Sequence, residues 1–166
     1  MKEQITINSL EFAQKSHSIR GTIAPRDLER LQDMLFSNDG SLSYQLQGGI
    51  NAQGKPELRL ALEGELVLAC QRCMGGLRHR VDSVSRLVIV SDEEMMPAPG
   101  DEQDDEDFLV ADPRFDVVAL IEDEILLGLP MAPLHDTAEC GANAVAATEK
   151  RESPFKVLQG LKLDKS

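Results

Sequence analysis

Aromatic residues are scarce in this chain, at 4% of 166 positions, with no tryptophan and the single tyrosine Tyr44. Its core must therefore rest on Leu, Val and Ile rather than on stacked rings. Positive charge is also in short supply: 17 Lys and Arg face 29 Asp and Glu, for a net charge of −12 and a pI of about 4.6. A generically basic coat for nucleic acid is excluded, because unspecific affinity for phosphates comes from Lys and Arg. Long hydrophobic runs are missing. The longest, Ile125 to Leu134, has ten residues and is broken by Gly128, Pro130 and Pro133, too short to cross a bilayer. No apolar stretch follows Met1, Lys2, Glu3 and Gln4, so no secretory signal is expected. Cysteines number three, which argues against a disulfide framework and for a reducing cytoplasm. Glycine-rich phosphate loops, nucleophile elbows and HExxH are absent, and nothing reads as an enzyme.

What is present is the profile of a globular chain, 42% hydrophobic and 28% charged, of a length that suits a single domain over 1–166. The acidity is concentrated. Ser91 to Asp107 reads SDEEMMPAPGDEQDDED, and setting its nine acids aside brings the net charge from −12 to −3. This run is expected to be a disordered acidic insert, either simply solvated or an arm that engages a basic partner or mimics nucleic acid. A second loose connection is expected over 136–152.

The segment from Glu57 to Val90 is the most informative. Leu58, Leu60, Leu62, Leu66, Leu68 and Cys70 occupy even positions, with Arg59, Glu63 and Glu65 between them. After the turn the apolar phase is odd, at Leu77, Val81, Leu87 and Ile89, and Arg78, Arg80, Asp82 and Arg86 share the opposite face. Period-two alternation of this kind predicts a long antiparallel hairpin with one buried face and CQRCMGG at its tip. A register pairing Leu66 with Val81 and Leu60 with Leu87 keeps both faces intact. Elsewhere, short strands are expected at Gln4–Ile7, Arg20–Ile23, Leu42–Leu46 and Phe108–Ala111, with a turn-rich connection over Gly48–Gly54. Three helices are expected. One opens at Pro25 and carries Leu28, Leu31 and Leu35; one is capped by Asp116 and buries Leu120, Ile121, Ile125 and Leu127; the last is N-capped by Ser153 and carries Phe155, Leu158 and Leu161. The fold class is α+β: an antiparallel sheet around a long central hairpin, either open or partly closed into a barrel, with flanking helices and the acidic disordered loop.

Two groups of residues are candidates for function. Cys70 and Cys73 form a CxxC at the hairpin tip, and His135 and Cys140 form an HxxxxC further on. Together they could supply four tetrahedral ligands, with zinc the cofactor that this donor set would take. Unmetallated cysteines in a tight turn, or a thiol-based redox site with Arg72 lowering a thiol pKa, are the alternatives. His79, on the face of Leu77 and Val81, reads as a core histidine or a substitute ligand. Arg72, Arg78, Arg80 and Arg86 form a basic stripe, either pairing across strands with Glu63 and Glu65 or contacting RNA or a protein partner. Glu122, Asp123 and Glu124 read as a solvated helix face.

The CQRCM tip with His79 nine residues after Cys70, the stretch IEDEILLGLPMAPLHDTAEC, and the closing SPFKVLQGLK together resemble the YceD family, the bacterial large ribosomal RNA subunit accumulation proteins. The resemblance implies a cytoplasmic, non-catalytic ribosome-biogenesis factor with a role in synthesis, processing or stability of 23S rRNA. The partner would be 23S rRNA or its precursor, bound directly or through a basic ribosomal protein or processing factor. It brings no site residues of its own, so the candidates above rest on the residues alone. A zinc- or thiol-based redox regulator centred on the CxxC is the alternative function.

Overall fold

Alternation of leucine with polar residues produces the centre of the molecule. The computed structural model describes residues 5–93, 107–136 and 140. Strands β4 (Leu42–Ile50), β5 (Pro56–Ala69) and β6 (Gly76–Val90) form an antiparallel meander. β2 (Ser18–Ile23) flanks β4, and β7 (Asp107–Val110) flanks β6 in parallel. The short β3 (Leu35–Ser37) continues the β4 side of β5 towards the tip, pairing with Leu68 and Val67. A separate ribbon joins β1 (Thr6–Ile7) to β8 (Phe115–Asp116). The strand order β2-β4-β5-β6-β7 ends on two different strands, so among the described residues the sheet is open and not a partly closed barrel.

Leu42, Leu46, Leu58, Leu60, Leu62, Leu66 and Leu68 point to one face and are buried. Covering them are α1 (Ser9–Gln14), with Phe12 and Ala13, and α2 (Val117–Gly128), with Val117, Leu120, Ile121 and Ile125. Each such leucine contributes about 1.5–3 kcal/mol through burial. α1 was not expected from the sequence; Asn8 caps it by accepting from the Glu11 amide. Close approach of α1 to β4 requires Gly48, where an added Cβ would stand 2.4 Å from the Phe12 carbonyl oxygen. β4 accordingly runs on to Ile50, and the turn is confined to 51–55, not the Gly48–Gly54 span that the sequence suggested.

Three further expectations are corrected. Pro25 opens no α-helix. Two 3₁₀ turns, Pro25–Asp27 and Glu29–Leu31, are separated by Leu28 at φ −94° and ψ 86°, and Leu35 begins β3. Gln32 Nε2 donates to the carbonyls of Pro25 and Leu28, giving these backbone acceptors side-chain partners. Leu28 and Leu31 are buried all the same, so the three-residue spacing marked a core face without marking a helix. In α2, Leu127 is 80% exposed, because Leu120, Ile121 and Ile125 already define the inward stripe.

The hairpin register is the third correction. Leu66 pairs with His79, not Val81; Leu60 pairs with Ser85, not Leu87; and Glu65 pairs with Arg80. A shift of two residues keeps every side chain on its expected face, so alternation could not distinguish the two registers. The tip decides. Cys70 N–H donates to the Gly75 carbonyl, Met74 N–H donates to the Cys70 carbonyl, and Met74 takes a positive φ of 59°. This six-residue turn makes Ala69 and Gly76 the last pair.

Asp116 caps α2 as expected, accepting from the amides of Val118 and Ala119. Most of the acidic run, the far part of the 136–152 connection and the Ser153 helix lie outside the described residues.

Candidate metal centre and arginine face

The hairpin tip and the segment after α2 meet at four side chains. Cys70 follows the end of β5 and is fully buried, and Cys73 lies three residues on in the turn, half-buried. Beyond Leu129, Pro130 and Pro133 cannot continue the helix, and the chain bends at Met131 and Ala132 before it reaches the tip. There Gln71 N–H donates to the Pro133 carbonyl at 2.9 Å. His135 and Cys140 then close on the two tip cysteines. The four ligand atoms all lie within 4.8 Å of one another. Cys70 Sγ is 3.4 Å from Cys140 Sγ, and Cys73 Sγ is 3.4 Å from His135 Nδ1. All three cysteines are free thiols.

Electrostatics at the tip favour an anionic sulfur. Burial pushes the Cys70 thiol up, but the backbone amides of Cys73, Arg72 and His135, with the Cys140 thiol, outweigh it and bring it down to about 5. Cys140 moves the other way, raised by burial and by sharing its hydrogen bond with Cys70. The imidazole of His135 is raised, first by Nε2 against the Gly76 carbonyl at 2.9 Å and then by the Cys70 sulfur. With Nε2 donating to that carbonyl, Nδ1 is left facing the thiols. Gly75 completes the turn, since an added Cβ would press to 3.3 Å from Cys73 Sγ.

His79 stands apart from this cluster on the inward face of β6, opposite Leu66. The acids of α2 are not simply a solvated face. Glu122 is buried and accepts the Arg30 amide at 3.0 Å, Asp123 pairs with the Arg30 guanidinium, and Glu124 accepts from the Ser85 hydroxyl. A helix residue that reaches an orphan amide in a neighbouring turn leaves no periodic trace in sequence.

The arginines are divided by the register. Arg78, Arg80 and Arg86 point outward on β6, and Arg72 is exposed in the turn. Arg78 lies 3.6 Å from Glu65, and Arg80 lies 3.8 Å from Glu63 and 3.3 Å from Asp82. Arg86 instead sits directly opposite Arg59, forming a doubly positive spot near the far end of the hairpin. Arg59 was not among the sequence candidates. Only the register identifies it, because the two arginines are 27 positions apart in the chain.

No helix among the described residues is long and apolar enough to cross a membrane. No solved structure matches this chain. The large ribosomal RNA subunit accumulation protein YceD of Haemophilus influenzae is 24% identical to it over 176 residues, covering 98% of this chain and 97% of that protein. The family model described as "Large ribosomal RNA subunit accumulation protein YceD" matches residues 58–162, a span that takes in the hairpin, its cysteine tip, α2 and the segment with His135 and Cys140. On that match the chain belongs to the YceD family.

Proposed function

We propose that this chain, as one YceD-like domain over 1–166, is a cytoplasmic, non-catalytic ribosome-biogenesis factor. It supports the synthesis, processing or stability of 23S rRNA. The family match over residues 58–162 carries this reading. The direct partner is a basic ribosomal protein or processing factor, and the effect on rRNA passes through it. Two features support a protein-mediated route. The net charge is −12, and Glu65, Glu63 and Asp82 stand beside Arg78 and Arg80 on the outward sheet face, so that face has mixed charge. Such a face suits a protein surface with alternating charge better than a phosphate backbone.

Depletion of the protein, with quantification of 23S against 16S rRNA, tests the function. The expected result is a fall in 23S relative to 16S. Normal 23S and balanced subunits under all growth conditions would overturn it. The route is tested separately by replacing the nine acids of 91–107 with Asn and Gln, which preserves the length of the β6–β7 connection. That variant should lose salt-sensitive binding to basic ribosomal proteins. Salt-sensitive binding of the isolated protein to 23S fragments, lost on neutralising Arg72, Arg78, Arg80 and Arg86 and unchanged in the acid-free variant, would instead establish direct RNA contact.

A further inference from the structure

We propose that Cys70, Cys73, Cys140 and Nδ1 of His135 form a closed tetrahedral Zn²⁺ site that staples the β5–β6 tip to the chain beyond α2. The inference is independent of the rRNA reading and stands on four observations.

The first is distance. Zinc bound at about 2.3 Å from sulfur and about 2.0–2.1 Å from nitrogen sets ligand-to-ligand edges of roughly 3.5–3.8 Å in a tetrahedron. Two of the contacts here are 3.4 Å and every ligand atom lies within 4.8 Å of the others, so small side-chain rotations reach that geometry. The second is the donor set. Three thiols and one imidazole form a Cys₃His site, a combination that selects zinc over the oxygen-seeking cations. A disulfide could use only two of the three sulfurs, and at 3.4 Å Cys70 and Cys140 are far beyond bonding distance.

The third observation is the surroundings. His135 Nε2 is committed to the Gly76 carbonyl, which orients the ring and leaves Nδ1 as the free ligand nitrogen. Gly75 leaves the space that a Cβ would take from Cys73 Sγ. The fourth is placement. Ligands from residues 70–73 and 135–140 join two segments otherwise linked at the tip by the Gln71–Pro133 and His135–Gly76 hydrogen bonds. With four protein ligands no coordination position remains for water or substrate, so the role is structural. Binding displaces whatever protons the three thiols still carry into solvent.

Metal analysis of the full chain, purified under reducing conditions without added metal, is the direct test. About one zinc per chain is expected, falling below about one-tenth in Cys73→Ser and in His135→Ala. Because those variants could fail to fold, the wild-type chain is also stripped with a chelator and titrated with Co²⁺. Saturation at one equivalent, with the intense visible absorption and thiolate charge-transfer band of tetrahedral cobalt, supports the site. Stoichiometric iron instead of zinc, fewer than about one-tenth metal atoms per chain with no tetrahedral cobalt spectrum, or a Cys70–Cys140 disulfide under the same conditions would overturn it.

Discussion

Cys70 and Cys140 are 70 positions apart in the chain, and their sulfur atoms lie 3.4 Å from each other. Everything between them, including β6, β7 and α2, is enclosed by that contact. A metal held there restrains a long loop, and its binding energy becomes folding energy. Removing it with a chelator should lower Tm by on the order of 5–10 °C, reversibly on adding back Zn²⁺. Differential scanning calorimetry of the full chain with and without chelator checks this, and identical transitions would contradict it.

Leu66 is fully buried at the middle of the core face of β5. Leu66→Ala should cost about 2–5 kcal/mol, from lost burial and the cavity left behind. Urea denaturation measures it. A loss well below about 1 kcal/mol would mean that this face does not carry the core.

Glu122→Ala should destabilise by about 1–3 kcal/mol, since the Arg30 amide loses its acceptor inside the protein. Glu122→Gln keeps a carbonyl oxygen at the same place and should lose less. Equal losses from the two variants would show that the amide contact is not what makes Glu122 matter.

At Gly48 the obstacle is backbone rather than a mobile side chain. Gly48→Ala puts a methyl group 2.4 Å from the Phe12 carbonyl oxygen, and α1 must shift to accept it. A cost of about 1–3 kcal/mol is expected. Gly49→Ala, next to it and with nothing within 4 Å, is the control and should be much milder.

Asp116→Ala removes the acceptor for the amides of Val118 and Ala119 at the start of α2. About 1 kcal/mol should be lost, and Asp116→Asn should recover most of it. Thermal melts of the two variants measured side by side decide the point.

Much of this architecture was legible in the chain itself, because side-chain alternation in a half-buried strand is a local signal. The even leucines of β5, the odd apolar phase of β6, the outward Arg78, Arg80 and Arg86, and the Asp116 cap each depend on residues only a few positions apart. The CxxC and HxxxxC spacings likewise pointed to Cys70, Cys73, His135 and Cys140, the four groups that the fold gathers. What pattern could not carry were relations of register and of distance. A two-residue slip leaves both hairpin faces unchanged, so only the hydrogen-bonded turn at Cys70 and Gly75 could pair Leu66 with His79 and set Arg86 opposite Arg59. Leucines spaced for a helix after Pro25 were taken by 3₁₀ turns, because burying Leu28 and Leu31 against the sheet requires the spacing but not the helix. Glu122 looked like solvated charge until α2 was laid beside the Arg30 turn. Local periodicity reports which face of an element is apolar. Which residue that face meets is decided by packing between elements far apart in the chain.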